Sequence, residues 1–302
     1  MLSRAKNRNT GVRLRRVFAL AFAATMAVAA GCSSVRIGYN NADTLLLYTL
    51  DNYLDLTGAQ QQLVRDRLRV LLAWHRETQL RGYAELIEAA RERVEERVGA
   101  DEVFAFNLEM NRRLVRVGEQ AAPDLAALAL TLQPAQLDRF AKKLAEDNAK
   151  SRRESAIAGG KRSFEQREQK SLERAREWFG SVSPEQHELI HRTLVARPEG
   201  EDWWVHESEQ RRNDLLVVLQ RIQAQRPPAG EAAEWLREYF ARLAEPQDPD
   251  RRTHMTEYRR GNAELIAGLI NAATPEQKSV LLKKLNGYAD DFAALAAADR
   301  RS

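Results

Sequence analysis

Four times along the chain a phrase of one kind opens a helix: Thr57-Gly58-Ala59-Gln60, Gln133-Pro134-Ala135-Gln136, Ser183-Pro184-Glu185-Gln186 and Thr274-Pro275-Glu276-Gln277. Three of them place Ser or Thr at the N-cap, three place Pro at the first helical position, and all four place Gln at the third. In such a capping box the N-cap hydroxyl accepts from the N3 backbone N–H, and the N3 Gln side chain accepts from the N-cap N–H. Donors that a helix start leaves without partners are thereby satisfied, and a Pro at the first position forfeits nothing. Four residues after each Gln stand Val64, Phe140, Ile190 and Leu281; eight after it stand Leu68, Leu144, Leu194 and Leu285. Apolar residues one turn apart seat each helix on a core by a single stripe. The glutamines are 76, 50 and 91 residues apart, too irregular for a solenoid.

Between these starts the periodicity is helical almost throughout. Ala42 to Leu56 has Leu46, Leu50 and Tyr53 on one face with Leu47 and Leu54 beside them, a first helix packed on the core. Leu63 to Val98 follows, with a kink expected near Arg81-Gly82, and then a helix from Asp101 to Glu119. Pro123 is expected to begin a separate short helix to Leu132. Residues 134–158 and 161–179 flank Gly159-Gly160 as a tip, and residues 201–226, 231–243, 251–271 and 275–298 complete the chain. Trp203-Trp204 reads as core. No segment alternates with period two, so the expected fold is all-α, an elongated multi-helix bundle of roughly ten helices with no sheet.

The N-terminus is of another character. Met1 to Arg16 carries Arg4, Lys6, Arg8, Arg13, Arg15 and Arg16 without an acid, and Val17 to Ala30 is apolar or small apart from Thr25. That run suits a signal-peptide core and is too short to span a bilayer comfortably. The expected organisation is a removed signal peptide (1–31), a lipidated N-terminus (32–34) and a helical domain (35–302), with two sub-bundles meeting near 159–182 as an alternative division of the last. Removing the signal takes six of the 47 basic residues and none of the 43 acidic ones, leaving a net charge of −2. The basic character belongs to the export tag, and no nucleic-acid partner is expected. Cys32 is the one cysteine, so there is no disulfide framework and no thiol nucleophile beyond it.

Two stretches carry chemistry-bearing side chains. Lys142 to Arg176 holds 11 basic residues and six acids. Anionic lipid head groups or envelope polymers would suit it, but interleaved charges along a solvated helical pair are the simpler account and the one expected. His187-Glu188-Leu189-Ile190-His191 fits H-E-x-x-H, which on a helix sets two imidazoles one turn apart for Zn²⁺ with Glu188 as general base. Against a metal role, Arg192 follows the second His, Leu194 and Arg197 hold the places of a His-x-x-Gly-x-x-His extension, and Glu207 and Glu209 are only nominal third ligands. The reading is therefore no metal, no cofactor and no catalytic residues.

Ala29-Ala30-Gly31-Cys32 resembles the lipobox of bacterial lipoproteins, with Ala29 where leucine is usual. The resemblance implies that Cys32 becomes the lipid-modified (palmitate-type) first residue of the mature chain. Ser33 stands where an aspartate retains many such proteins in the inner membrane, so in a two-membrane bacterium the expected address is the outer membrane, facing the periplasm. The segments RIGYNNADTLLLYTLDNYLDL and LVRDRLRVLLAWHRETQLRGY, including Trp74-His75-Arg76, resemble a bacterial lipoprotein family known as domain of unknown function 6279, which implies a helical exported lipoprotein without assigned catalytic residues. Leu56-Thr57-Gly58-Ala59-Gln60 is similar to the LTxxQ phrase of the Spy/CpxP-type periplasmic chaperones. Three functions are consistent with these features. The first is a non-enzymatic envelope lipoprotein, held to the membrane by a lipid anchor at Cys32 and presenting helices to an unknown protein or envelope partner. The others are a holdase-like periplasmic chaperone and a zinc-dependent hydrolase using His187, Glu188 and His191.

Overall fold

All four capping phrases close as helix starts. Thr57, Ser183 and Thr274 accept from the N–H of Gln60, Gln186 and Gln277 at 3.1–3.3 Å, and those glutamines return the bond to the N-cap N–H at 2.9–3.0 Å. At the fourth, Gln136 accepts from the Gln133 N–H at 3.0 Å. The computed structural model describes residues 35–156, 161–197 and 200–298. The signal segment, Cys32 and the Gly159-Gly160 tip lie outside the described residues.

The described residues are all-α. A short helix α1 (35–40) leads into α2 (Ala42–Leu54), α3 (Gly58–Thr78), α4 (Leu80–Glu95), α5 (Ala100–Thr131) and α6 (Pro134–Ala156). These are followed by α7 (Lys161–Phe179), α8 (Pro184–Ala196), α9 (Gly200–Gln225), α10 (Ala229–Ala244), α11 (Pro249–Asn271) and α12 (Pro275–Ala298). The described residues form twelve helices where about ten were expected from periodicity, and no strand.

The capping stripes mark the core. Val64, Phe140, Ile190 and Leu281 are all buried, as are the four box glutamines. The glutamines then pair across helix ends. Gln60 and Gln136 exchange amide hydrogen bonds at 2.8 and 3.1 Å, Gln136 also donates to the Leu54 and Asp55 carbonyls, and Gln60 to the Thr131 carbonyl. At the other pair Gln277 donates to Gln186 at 2.9 Å and to the Ser181 carbonyl, while Gln186 donates to the Leu269 carbonyl. Each glutamine thus caps its own helix and ties it to the chain end beside its partner. One pair sits by the core of α2, α3, α6, α9 and the end of α5; the other lies in the core of α7, α8, α11, α12 and the end of α4. Helix α5 joins the two, packing along α10 and α11, while α12 packs along α4.

Three expectations need correction. Pro123 does not begin a helix: it stands inside the 32-residue α5. The carbonyl that its missing N–H strands belongs to Glu119, and both residues are exposed, so water reaches it. On the opposite side Gly118, Ala121, Ala122 and Ala126 are buried. They let α10 approach until the Phe240 ring lies 2.4 Å from where a Cβ on Gly118 would be, and this packing holds the helix through the proline. Second, the break expected at Arg81-Gly82 falls at Gln79, between α3 and α4. Gly82 instead admits the Arg113 guanidinium, which occupies the space of a Cβ. Third, α2 packs through Leu47, Leu50, Tyr53 and Leu54, leaving Leu46 on the exposed side.

Candidate functional site

The start of the described chain is fastened to the body. Arg36 pairs with the buried Asp291 of α12 at 2.8 Å, and the Tyr39 hydroxyl lies 2.9 Å from His75 Nδ1 on α3. Arg76 donates to Asn40 at 3.3 Å, and Tyr53 donates to Asp147 of α6 at 2.6 Å. His75 stands between Tyr39 and Tyr83, and burial lowers its pKa from 6.5. With their inner face occupied, α1 and α2 turn Ile37, Leu45, Leu46 and Tyr48 outward, Tyr48 being 72 % exposed.

The H-E-x-x-H segment lies on α8. His187 and His191 do share one face, but the carboxylate beside them is Glu168 of α7, with Oε1 2.7 Å from His191 Nδ1 and 3.5 Å from His187 Nε2. Glu188, the general-base candidate, is exposed and pairs with Arg192 at 3.6 Å. The nominal third ligands are elsewhere. Glu209 pairs with Arg152. Glu207 is buried between Arg211 and Arg251, at 2.8 and 3.0 Å. Burial alone would raise the Glu207 pKa, but hydrogen bonds from the two arginines outweigh it and hold the carboxyl below its ordinary range. Among the described residues no group of three or more His, Cys, Asp or Glu side chains is arranged to hold a metal ion. The arrangement at α8 makes a polar clasp between α7 and α8.

Two neighbouring cavities lie among α4, α5, α7, α8, α9, α11 and α12, and no motif in the sequence announced them. One chamber, about 680 Å³, is walled by aliphatic and aromatic side chains such as Leu86, Ala90, Val103, Phe106 and Leu285. Its polar lining is Arg93, Glu102 and Glu109, and these charges are paired, Arg93 with Glu102 at 3.3 Å and Glu109 with Arg113 at 2.9 Å. The other, about 470 Å³, carries Arg167, Lys170, Arg174 and Arg197 and no carboxylate. Trp178, Phe179, Ile266 and Leu269 line both. The α7 stripe that makes this gradient steps by three and four residues from Arg167 to Phe179, where Gly180, at φ +77°, ends the helix in the left-handed region. Arg197 is set by donating to the Gly261 carbonyl, on a glycine that leaves room for the guanidinium. Trp204 closes the basic chamber, 37 % exposed and stacked on Tyr258 at 5.4 Å. Trp204 is thus a partly exposed wall and not core, while Trp203 beside it is half-buried against His254 and Tyr258.

Fold and cavities together describe a protein all-helical over its described residues, with two cavities between its helices. The chain belongs to the family of unknown function DUF6279, whose sequence profile matches residues 52–229. That match covers α3 to α9 and leaves α11 and α12 outside. No curated protein and no solved structure matches the chain. No helix among the described residues is long and apolar enough to cross a membrane.

Proposed function

We propose that the protein is a non-enzymatic envelope lipoprotein, tethered by palmitate-type acylation of Cys32 and presenting its helical body to a protein or envelope partner. The observation that carries this reading is the exposed apolar face of α1 and α2. Three peptide units separate Cys32 from Val35, a reach of at most ~11 Å in any conformation. Ile37, Leu45, Leu46 and Tyr48 therefore stand beside the anchor, where a bilayer surface covers them as it covers an interfacial amphipathic helix. The pairing of Arg36 with the buried Asp291 and the Tyr39–His75 contact fix that face relative to the rest of the molecule. The anchor then sets an orientation as well as an address, consistent with an outer-membrane protein facing the periplasm.

Membrane fractionation of the full chain tests the reading. Cys32→Ser is expected to move most of the protein out of the membrane fraction. The double variant Leu45→Glu, Tyr48→Glu with Cys32 intact should stay membrane-bound yet lose labelling of α2 by a bilayer-embedded photoreactive probe. Unchanged fractionation of Cys32→Ser would contradict the proposal.

A further inference from the structure

We propose that the apolar cavity among α4, α5, α7, α11 and α12 binds a single uncharged hydrocarbon chain, such as the acyl chain of a lipid. The inference does not rest on the anchor at Cys32, since it uses the lining of this one cavity.

Three observations support it. The first is depth. Val94, Val98, Phe179, Ile270 and Leu281 make the floor, all buried members of one core cluster, whereas Ala89, Ala105, Trp178 and Ile266 are exposed at the mouth. An apolar pocket of about 680 Å³ set between helices has the size and character of a small-ligand site. The second is shape and charge. The lining follows α4 from Leu86 to Val94, ~12 Å at the helical rise. Helix α5 runs alongside in the opposite sense, with Arg93 meeting Glu102 near one end and Tyr83 meeting Arg113 near the other. A slot of this form suits an extended chain. Its charges are matched within the protein, Arg93 by Glu102 and Glu109 by Arg113, so nothing in the lining calls for a charged ligand.

The third is how the equivalent place is packed. Helix α11 repeats the end of α5. Ala122, Ala126, Leu128 and Ala129 stand 14, 10, 8 and 7 residues before Gln136, Ala263, Ala267, Leu269 and Ile270 stand at the same distances before Gln277, and all eight are buried. Beside Leu125 and Ala129 of α5, the space is filled by Val218 and Ile222 of α9 with Trp235 and Leu236 of α10. Beside their counterparts on α11, Ile266 and Ile270, lies the cavity. The opening therefore belongs to the residues of this site and not to the way paired helix ends pack.

A chain of this kind has two sources within reach, lipid of a nearby bilayer and the acyl group of the protein's own anchor. Val35, three residues past Cys32, packs on the cluster of Leu80, Tyr83 and Leu295, and Tyr83 precedes Leu86 by one turn of α4.

The test uses the Cys32→Ser chain in buffer with dodecanol carrying a diazirine at mid-chain. After illumination, labelled residues are mapped by mass spectrometry. Labelling is expected on cavity residues of α4, α5 and α12, to fall tenfold or more under excess unlabelled dodecanol, and to persist under the same excess of butanol. Ala90→Phe in that background, shown to be folded by circular dichroism, is expected to lose the labelling, because the ring extends into the cavity. The chain-length comparison stands without this variant. The anchored and Cys32→Ser chains are then compared with the probe in phosphatidylcholine vesicles. Labelling of the anchored chain at or above that of Cys32→Ser assigns the site to bilayer lipid, and weaker labelling assigns it to the chain's own acyl group. Failure of the anchor reading shows in membrane fractionation and leaves the labelling in buffer untouched. Labelling in buffer that misses the cavity, that butanol competes as well as dodecanol does, or that a folded Ala90→Phe chain keeps would overturn the proposal.

Discussion

Gln186 has no exposed surface and serves three partners at once: the Ser183 N–H, the Leu269 carbonyl and the Gln277 amide. A buried donor or acceptor left without its partner costs far more than a made bond contributes. Gln186→Leu keeps the volume and strands all three, so unfolding in urea is expected to show a loss of about 3 kcal/mol or more. A loss under ~1 kcal/mol would mean that water or a shifted neighbour takes the amide's place. The capping role of this residue was legible from the phrase Ser183-Pro184-Glu185-Gln186, because a capping box is local. Its pairing with Gln277, 91 residues away, was not, because nothing local encodes which helix ends meet. The histidines on α8 behave the same way. Their common face follows from spacing, whereas the Glu168 carboxylate between them arrives from another helix.

Helix existence was readable along the described residues because the apolar stripes recur at helical spacing, and Val64, Phe140, Ile190 and Leu281 are buried where the stripes put them. Helix boundaries and faces were less so. A proline ends a helix only if the surrounding packing lets it, and at Pro123 the small-residue face of α5 against α10 overrides the local preference. Apolar residues all around α2 leave its inner stripe ambiguous until α3, α6 and α9 occupy one side. The cavities were beyond reach, since five helices contribute the apolar one and a cavity is defined by what does not fill it. Pro123 gives the prediction at this scale. It is exposed, and its replacement restores the Glu119 carbonyl's bond, so Pro123→Ala is expected to stabilise the protein. The helix-interior penalty of proline is about 3 kcal/mol, and the freer unfolded chain returns up to ~1, leaving about 2 kcal/mol. A rise in the urea midpoint at unchanged slope checks this; no rise would mean that the proline's local geometry is needed for the α5–α10 contact.

At the scale of the whole molecule, the titrating groups confine stability to a window of pH. His75 has its pKa lowered from 6.5 by burial, so below that value the unfolded chain takes up a proton that the folded one resists. Stability contributed by keeping the ring neutral is complete above pH 6.5 and is lost as the pH falls toward the folded-state pKa. Glu207, held below its ordinary 4.5, adds a second loss at still lower pH, when its pairs with Arg211 and Arg251 are protonated away. On the alkaline side Tyr239 is pushed up to about 12 by burial, and Tyr53 and Tyr83 also titrate above 10.0. Above pH 10.0 the unfolded chain releases these protons first, and stability falls again. The melting temperature is therefore expected to be flat from about pH 7 to 9 and to decline on either side. The two acid-side groups are separable by variant. His75→Gln should flatten the decline between pH 6.5 and 5, whereas Glu207→Gln should lower the whole curve and leave that slope in place. The slope matters for the first two helices in particular, because His75 is the residue against which Tyr39 rests, and with Arg36 and Asp291 it fixes the apolar face of α1 and α2. If His75→Gln left the acid-side slope unchanged, the proton uptake that weakens the fold would lie elsewhere, and the contact between α1 and α3 would not be the part of the molecule that acid loosens first.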